Sequence, residues 1–397
     1  MIRKLHIHQF RNVKQATLSL AKHNVLIGKN GSGKTSLLEA VFLLSRGKSF
    51  RHHEPKRYIS HHATECIVWA MTDFYQPCTL AIKKQMDLSG KSDTTLKFDD
   101  KTVLGQSVLS KHLPVLLIDP SSMTVLDEGS ATRRQMLDWL VFHVKPDFYE
   151  QWLNYQRLLK QRNALLKQAN IRQHTHQLTA WDNQLSFYAH ALHEHRLQIF
   201  EQWQLAFEQM VSRLLPAYQD MLSLSYQAGF DVSTPLLHTL TERIWQDIEL
   251  GYTRVGSHRA DVSVVFKTMD EQGKKVREQA SHVLSRGEKK LLITALKLSQ
   301  LTLICQLNTQ GNQLNLPVVL IDDIDAELDQ RAVSMLLDTI LSLPCQVIIT
   351  SLNQEICQVI DDKLSILSPS AICRVFHVEQ GEFLTAQTAP NNDAKDE

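Results

Sequence analysis

Eight consecutive residues near the start of the chain have the types and spacing to hold a polyphosphate. Gly28-Lys29-Asn30-Gly31-Ser32-Gly33-Lys34-Thr35 fits G-x-x-x-x-G-K-[ST] at every fixed position. The three glycines let the backbone curl so that its N–H groups converge on an anion. A helix starting here would aim its positive end at the same point. Lys34 would pair with the β- and γ-phosphates of ATP, and the Thr35 hydroxyl would ligate Mg²⁺. All eight residues are thus candidate nucleotide contacts, and Lys34 is also a candidate catalytic charge.

A second candidate is Val318-Val319-Leu320-Ile321-Asp322-Asp323, an apolar run that ends in two carboxylates. Asp322 would hold Mg²⁺ together with Thr35, directly or through water. Asp323 would polarise the attacking water as the catalytic carboxylate. A third is Leu284-Ser285-Arg286-Gly287-Glu288-Lys289-Lys290, ahead of a long apolar stretch. Read alone, it is a capped helix start with small donors at Ser285 and Gly287 and a dipole suited to an anion.

These residues need elements to position them. Val25 to Ile27 reads as a buried strand and Ser36 to Leu44 as the helix after it. Cys66 to Ala70, Thr79 to Lys83 and Thr94 to Phe98 alternate as strands of an antiparallel layer. Val115 to Ile118 is another strand, stopped by Asp119-Pro120. From Ser121 to Gly251 the texture turns helical: Thr132 to Phe142, Tyr149 to Ala169, then Leu178 to Leu224 with an interruption at Pro216. Strands return at Val262 to Phe266, Val318 to Ile321 and Gln346 to Ile349, with a helix over Lys289 to Leu303. The pattern predicts a discontinuous α/β domain, residues 1–120 and 252–397, carrying a mostly helical arm, residues 121–251.

The bulk numbers narrow the class. The chain has 397 residues and a formal net charge of +1, so binding to nucleic acid would need a local basic patch. Residues 151–178 hold Arg157, Lys160, Arg162, Lys167 and Arg172 and no carboxylate. Four of them fall within roughly 140° of one helix face, with Arg162 off it. Such a stripe reads equally as a phosphate track or a solvated face, and Arg133-Arg134 and Lys289-Lys290 carry the same two readings. The six cysteines form no CxxC pair, which suits free thiols in a reducing cytoplasm. The histidine pairs, and the alternation at His174 and His176, lack the further ligands a zinc site needs. No signal peptide is visible, no stretch approaches the ~20 apolar residues of a membrane span, and only the tail from Pro390 to Glu397 reads as disordered.

Several segments carry a resemblance. Ser285 to Glu288 resembles the signature motif of ABC-type ATPases, which in that superfamily meets the γ-phosphate held by a second protomer. Ala326-Glu327-Leu328-Asp329 stands where the superfamily has its D-loop, with Ala326 in place of the usual serine. The strand from Cys345 to Thr350 runs into Ser351-Leu352-Asn353 without the histidine of ABC transporters, which argues against a transporter subunit. Leu5 to Asn12 looks like the opening strand and turn of SMC-like repair ATPases. Gly47-Lys48-Ser49-Phe50-Arg51, Arg133 to Asp138, Gln161 to Lys167 and Gly256-Ser257-His258-Arg259-Ala260-Asp261 are similar to segments of the RecF family, the last departing from it at Ser257 and Ala260.

The resemblance implies an ABC-type head with a mixed sheet, an antiparallel β layer and an inserted helical arm. It also implies ATP and Mg²⁺ as cofactors, an ATP-dependent homodimer, weak DNA-stimulated ATP hydrolysis, and binding to DNA at gaps and single-strand/double-strand junctions. RecR and RecO would be partners in loading RecA, in DNA replication and repair and the SOS response. Arg11 and Asn12 are candidate adenine contacts. Three other readings stand beside it. An SMC-like DNA clamp would carry a longer coiled coil, and a related nuclease would need a further domain. A P-loop kinase would lack the Ser285–Gly287 signature.

Overall fold

The computed structural model describes residues 1–73, 76–87, 89–119, 124–127, 129–173, 175–269, 275–310, 314–327, 330–369 and 371–385. His174 and the tail 390–397 lie outside them. Two compact units emerge: residues 1–120 with 315–397, and residues 121–314.

The strands, in chain order, are β1 Ile2–Phe10, β2 Val13–Ser19, β3 His23–Ile27, β4 Glu65–Asp73, β5 Pro77–Met86, β6 Ser92–Phe98, β7 Lys101–Val103 and β8 Val115–Ile118. They continue as β9 Leu222–Gln227, β10 Asp261–Met269, β11 Lys275–Gln279, β12 Val318–Ile321, β13 Gln346–Ser351, β14 Cys373–Glu379 and β15 Glu382–Thr385.

The first unit has two sheets. One is an antiparallel layer in the order β2-β1-β4-β5-β6-β7. Its strand β4 alternates buried and half-exposed residues, as a sheet with one covered face does. The other sheet runs β15-β14-β3-β13-β12-β8, parallel except for the β15 edge. Strands β3, β12 and β13 are buried at every residue, which is why Val25–Ile27, Val318–Ile321 and Val347–Ile349 read as unbroken apolar runs.

The helix Lys34–Arg46 packs between the two sheets. Its Leu37, Leu38, Val41 and Leu44 share one core with Ile7, Val68 and Ile82 of the layer and with Leu26, Leu320 and Ile348 of the parallel sheet. Being covered nearly all round, it is apolar nearly all round. Gln346 adds a polar tie. Its amide accepts from the Ile2 N–H at 2.7 Å and donates to the carbonyls of Ile2 and Ala21, each at 2.8 Å.

The second unit is built on the helices Ser130–Val144, Phe148–Leu166, His176–Leu214 and Arg286–Thr309 and the small sheet β11-β10-β9. Several expectations need correction here. Helical texture was expected to run on to Leu224, but the long helix ends at Leu214 and β9 follows a short turn at Pro216–Tyr218. Pro216 cannot donate an N–H to continue the helix, and β9 pairs antiparallel with β10, Leu224 opposite Val264 and Leu222 opposite Phe266. That pairing also moves the second domain boundary. Residues 252–314 stay with the arm, so the division falls at 314/315 and not at 251/252.

The last correction concerns apolar length. Arg286–Thr309 is long and apolar enough by composition to cross a membrane. It is a core helix instead: 72% of its most apolar window is buried, Trp203 donates to Ser299 at 2.8 Å and Gln300 donates to the Met136 carbonyl at 2.8 Å.

His23 opens β3 with 1% of its surface exposed and, among the described residues, no hydrogen-bond partner at either ring nitrogen. Burial, helped by the neighbouring Lys22 charge, lowers its pKa to about 4. The unfolded chain takes up that proton near pH 6.5. Stability from this group is therefore complete above pH 6.5 and is lost as pH falls towards 4, about 3 kcal/mol in all. Urea midpoints measured between pH 7 and 4 should fall more steeply for the wild type than for His23→Leu. Parallel curves would show that His23 is not the source.

Candidate nucleotide-binding site

Strand β3 delivers the chain into the loop Gly28–Gly33, and the helix Lys34–Arg46 takes it away. The loop is tightly backed. A Cβ on Gly28 would stand 2.4 Å from the Val378 carbonyl oxygen and 2.7 Å from Ser32 Oγ, so no side chain fits. Gly33, the residue before the helix, has φ 119°, which L side chains rarely adopt. Asn12 donates to the Gly31 carbonyl at 3.2 Å and accepts from the Ser36 hydroxyl at 2.8 Å. The Gly381 N–H donates to the Ser32 carbonyl at 2.7 Å, which ties the loop to the β14–β15 turn.

Lys29, Asn30 and Gly31 are exposed along the outer edge of the loop, whereas Ser32, Gly33 and Lys34 are buried. The Lys34 ammonium curls back to donate to the carbonyls of Gly28 at 2.8 Å and Lys29 at 3.3 Å. Asp323 Oδ1 lies 3.9 Å from it.

Strand β12 brings its carboxylates to the same end of the parallel sheet. The Thr35 hydroxyl donates to Asp322 Oδ1 at 2.8 Å, and the Thr350 hydroxyl donates to the same oxygen at 3.0 Å. Arg51 approaches the other oxygen, Oδ2, at 3.4 Å. Burial pushes the Asp322 pKa up and the Asp323 charge adds to this, while the Thr35 hydroxyl, Arg51 and Thr350 oppose it. Asp323 has φ 46° and is partly exposed, and its N–H donates to Thr350 Oγ1 at 2.7 Å.

The hydroxyl of Thr35 and the carboxylate of Asp322 are hard oxygen donors of the kind Mg²⁺ prefers. Among the described residues no group of three or more His, Cys, Asp or Glu could hold a metal alone. A magnesium ion here would complete its shell from phosphate and water, as it usually does in nucleotide sites.

A cleft of about 1630 Å³ opens over the loop. Arg11, Arg51, Lys56 and Arg57 bring cations to it and Asp323 brings a carboxylate. Arg11 is fixed by the buried Glu39, which accepts from its Nε at 2.9 Å and its Nη2 at 2.6 Å. The Ser49 hydroxyl also donates to Glu39, and its oxygen accepts the N–H groups of Arg51 and His52, each at 3.0 Å. One buried carboxylate thus anchors both Arg11 and the loop that carries Arg51.

Sequence reasoning did not single out Glu39, Arg51 or Thr350. The segment Gly47 to Arg51 stood out only by resemblance, and Thr350 only as a place without histidine. Arg11 and Asn12 were expected near adenine. Asn12 braces the phosphate loop, and both residues line the cleft over it.

The signature-like residues belong to the second unit. Ser285 caps the helix Arg286–Thr309 in a reciprocal capping box: its backbone N–H donates to Glu288 Oε2 at 2.8 Å, and its Oγ accepts the Glu288 N–H at 3.4 Å. Ser285 and Gly287 are exposed, and a Cβ on Gly287 would meet nothing within 4 Å. Of the D-loop-like segment, Leu328 and Asp329 lie outside the described residues.

Two family-like segments of this unit meet each other. Arg133 pairs with Asp261 at 2.8 and 3.0 Å, and Arg134 donates to the Ala260 carbonyl at 2.8 Å. Arg196 bridges Asp138 at 2.7 Å and the Ser257 hydroxyl at 2.6 Å. Arg133 and Arg134 are thus held by the unit itself. Arg162, fully buried, pairs with Asp182 at 2.6 Å and Asp247 at 2.7 Å, while Arg157, Lys160, Lys167 and Arg172 are exposed.

A phosphate loop closing onto the carboxylate of a parallel strand, beside an antiparallel layer and with a helical arm, defines an ABC-type ATPase head of the SMC kind. The family model described as RecF/RecN/SMC N terminal domain matches residues 1–373. The DNA replication and repair protein RecF of Acinetobacter baumannii (strain SDF) is 41% identical over 381 residues, covering 96% of this chain and 97% of that protein. The protein of the same name from Marinobacter nauticus is 33% identical over 386 residues, covering 96% and 98%. A solved structure of the recombination mediator protein RecF with ATP, in the RecFOR pathway, superposes with a TM-score of 0.77 at 21% identity, covering 97% of each chain. The chain belongs to the RecF family of DNA replication and repair proteins.

Replacing Lys34 by Met removes the buried ammonium with its bonds to the Gly28 and Lys29 carbonyls and leaves the bracing by Asn12 and Gly381 in place. Equilibrium titration should show ATP affinity reduced roughly 10- to 100-fold, the scale of charge-assisted hydrogen bonds lost, with an unchanged thermal midpoint. Wild-type affinity in Lys34→Met would detach the loop from nucleotide binding.

Proposed function

We propose that this protein binds ATP with Mg²⁺ at the Gly28–Thr35 loop and hydrolyses it slowly as a DNA-stimulated ATPase. The observation that carries the proposal is the 2.8 Å hydrogen bond from Thr35 to Asp322, which joins the phosphate loop to the strand that supplies the carboxylates. Gly28, Lys29, Asn30, Gly31, Ser32 and Gly33 enclose the phosphates with backbone N–H groups, and Lys34 turns its ammonium from the loop carbonyls to the γ-phosphate. Bound Mg²⁺, held by Thr35 and Asp322, supplies charge neutralisation at the phosphate oxygens. Asp323 takes a proton from water as the water oxygen bonds to the γ-phosphorus. The bond from that phosphorus to the β,γ-bridging oxygen breaks, and ADP leaves with the electron pair.

ATP binding drives two protomers together, each offering its exposed Ser285 and Gly287 to the γ-phosphate held by the other. The dimer acts on DNA at gaps and single-strand/double-strand junctions in the bacterial cytoplasm, with hydrolysis resetting it. The exposed Arg157, Lys160, Lys167 and Arg172 are the side chains of the arm best suited to phosphates. By family membership it works with RecR and RecO to load RecA. That role agrees with the solved relative described as a recombination mediator of the RecFOR pathway.

Two experiments test the reading. Ser285→Arg should leave ATP binding to the protomer intact and abolish ATP-dependent dimerisation in light scattering; a variant that still dimerises would reduce Ser285 to a helix cap. Asp323→Asn should slow single-turnover hydrolysis roughly 10²–10⁴-fold, the usual cost of losing a general base, and lengthen the life of the ATP-bound dimer on gapped DNA. Hydrolysis at the wild-type rate would remove Asp323 from the chemistry.

A further inference from the structure

The backbone of Asp323 is unusual. It is one of few non-glycine residues among those described with positive φ, here 46°, immediately after a buried strand. An L residue in the left-handed region is held there by its surroundings. The group that holds it is the hydroxyl of Thr350, whose oxygen accepts the Asp323 N–H at 2.7 Å. Thr350 is fully buried, so no water competes for that bond.

The sheet explains why Thr350 can do this. Strand β13 lies between β3 and β12, with Ile349 level with Ile321 and Thr350 level with Leu26. One residue past the Ile321–Ile349 pair, Thr350 faces the point where β12 ends in Asp322 and Asp323. Its hydroxyl has one hydrogen and two lone pairs. The hydrogen goes to Asp322 Oδ1 at 3.0 Å, with Asp323 Oδ1 farther off at 3.5 Å, and a lone pair receives the Asp323 N–H. Asp322 does not depend on it alone, because the Thr35 hydroxyl donates to the same oxygen at 2.8 Å. The Asp323 N–H has no other acceptor near enough to replace it among the described contacts.

We propose that Thr350 is a positioning residue for ATP hydrolysis, its buried hydroxyl pinning Asp323 in the left-handed conformation that presents the Asp323 carboxylate to the cleft beside Lys34. The inference rests on the reading of Asp323 as the carboxylate that takes the proton from water. Thr350 touches neither phosphate nor water in this role. It acts through the backbone of its neighbour.

The test is Thr350→Val, which keeps the shape of the side chain and deletes the hydroxyl. Single-turnover hydrolysis should fall roughly 10²-fold, the scale of an ångström's misplacement of a catalytic group. ATP affinity and the Mg²⁺ concentration that half-saturates binding should both stay within about twofold, because Lys34 and Thr35 are untouched and Asp322 keeps the Thr35 hydroxyl on the same oxygen. Thr350→Ser, which restores the hydroxyl, should recover most of the rate. In an Asp323→Asn background, Thr350→Val should cost nothing further, since both act through one carboxylate.

Four results overturn the proposal. If Asp323→Asn is slow but Thr350→Val hydrolyses at the wild-type rate, the Asp323 reading stands and the positioning role does not. If Thr350→Val shifts the Mg²⁺ requirement instead of the rate, Thr350 serves Asp322. If Asp323→Asn itself hydrolyses normally, the assignment of the carboxylate falls and the proposal falls with it. Should Thr350→Val not fold, Thr350→Cys and Thr350→Ser decide the matter. Sulfur is a weak acceptor, so the cysteine variant should be slow where the serine variant is not, and equal rates in the two would overturn the role.

Discussion

Everything at the nucleotide site depends on the parallel pairing of β3, β13 and β12. These three strands start from distant parts of the chain and end side by side. At that shared end the phosphate loop, Thr350 and the two carboxylates come within hydrogen-bond reach. The contact that closes the arrangement is Thr35 to Asp322, across 287 residues of sequence. A one-residue shift of β12 against β13 would either carry Asp322 into the buried strand or draw it away from Thr35, and both are costly for a carboxylate at the edge of the core. The register that keeps Val319, Leu320 and Ile321 in the core is therefore the register that aligns the site.

The helix after the loop performs two tasks that pull in opposite directions. It must fill the space between two sheets, so it is apolar on nearly every side. It must also anchor charged groups beside the phosphates. Glu39 reconciles the two. It is buried, yet it receives Arg11 and Ser49 together, so its charge is paired and its oxygens are hydrogen-bonded. Through those partners it fixes one wall of the cleft and the loop that sends Arg51 toward Asp322.

The second unit repeats the theme of buried, paired charge. Arg162 and Arg196 are fully or almost fully buried, and each holds separate stretches of chain together. The segments from Arg133 to Asp138 and from Gly256 to Asp261 stood out in the sequence by their family resemblance. Their side chains are spent on each other. Breaking one such pair would leave an uncompensated buried charge. The exposed cations Arg157, Lys160, Lys167 and Arg172 carry no such duty in the core.

What the sequence alone determined is what short-range chemistry determines. The phosphate loop is a local backbone conformation with its glycines, lysine and threonine in eight consecutive positions, so it was fully legible. The buried strands were legible as apolar runs, and Asp322 and Asp323 as the polar end of one of them. The tertiary structure decided what long-range pairing decides. Thr350 matters because β13 lies next to β12, Glu39 because two sheets close over its helix, and the domain boundary because β10 pairs with β9. In the sequence Leu222 to Gln227 follows a long helical stretch; its Leu-Ser-Leu-Ser alternation suits a strand, but its pairing with β10 some forty residues on was hidden. None of these relations has a local signature. Each follows from which strands become neighbours, and that is settled only when the whole core is buried.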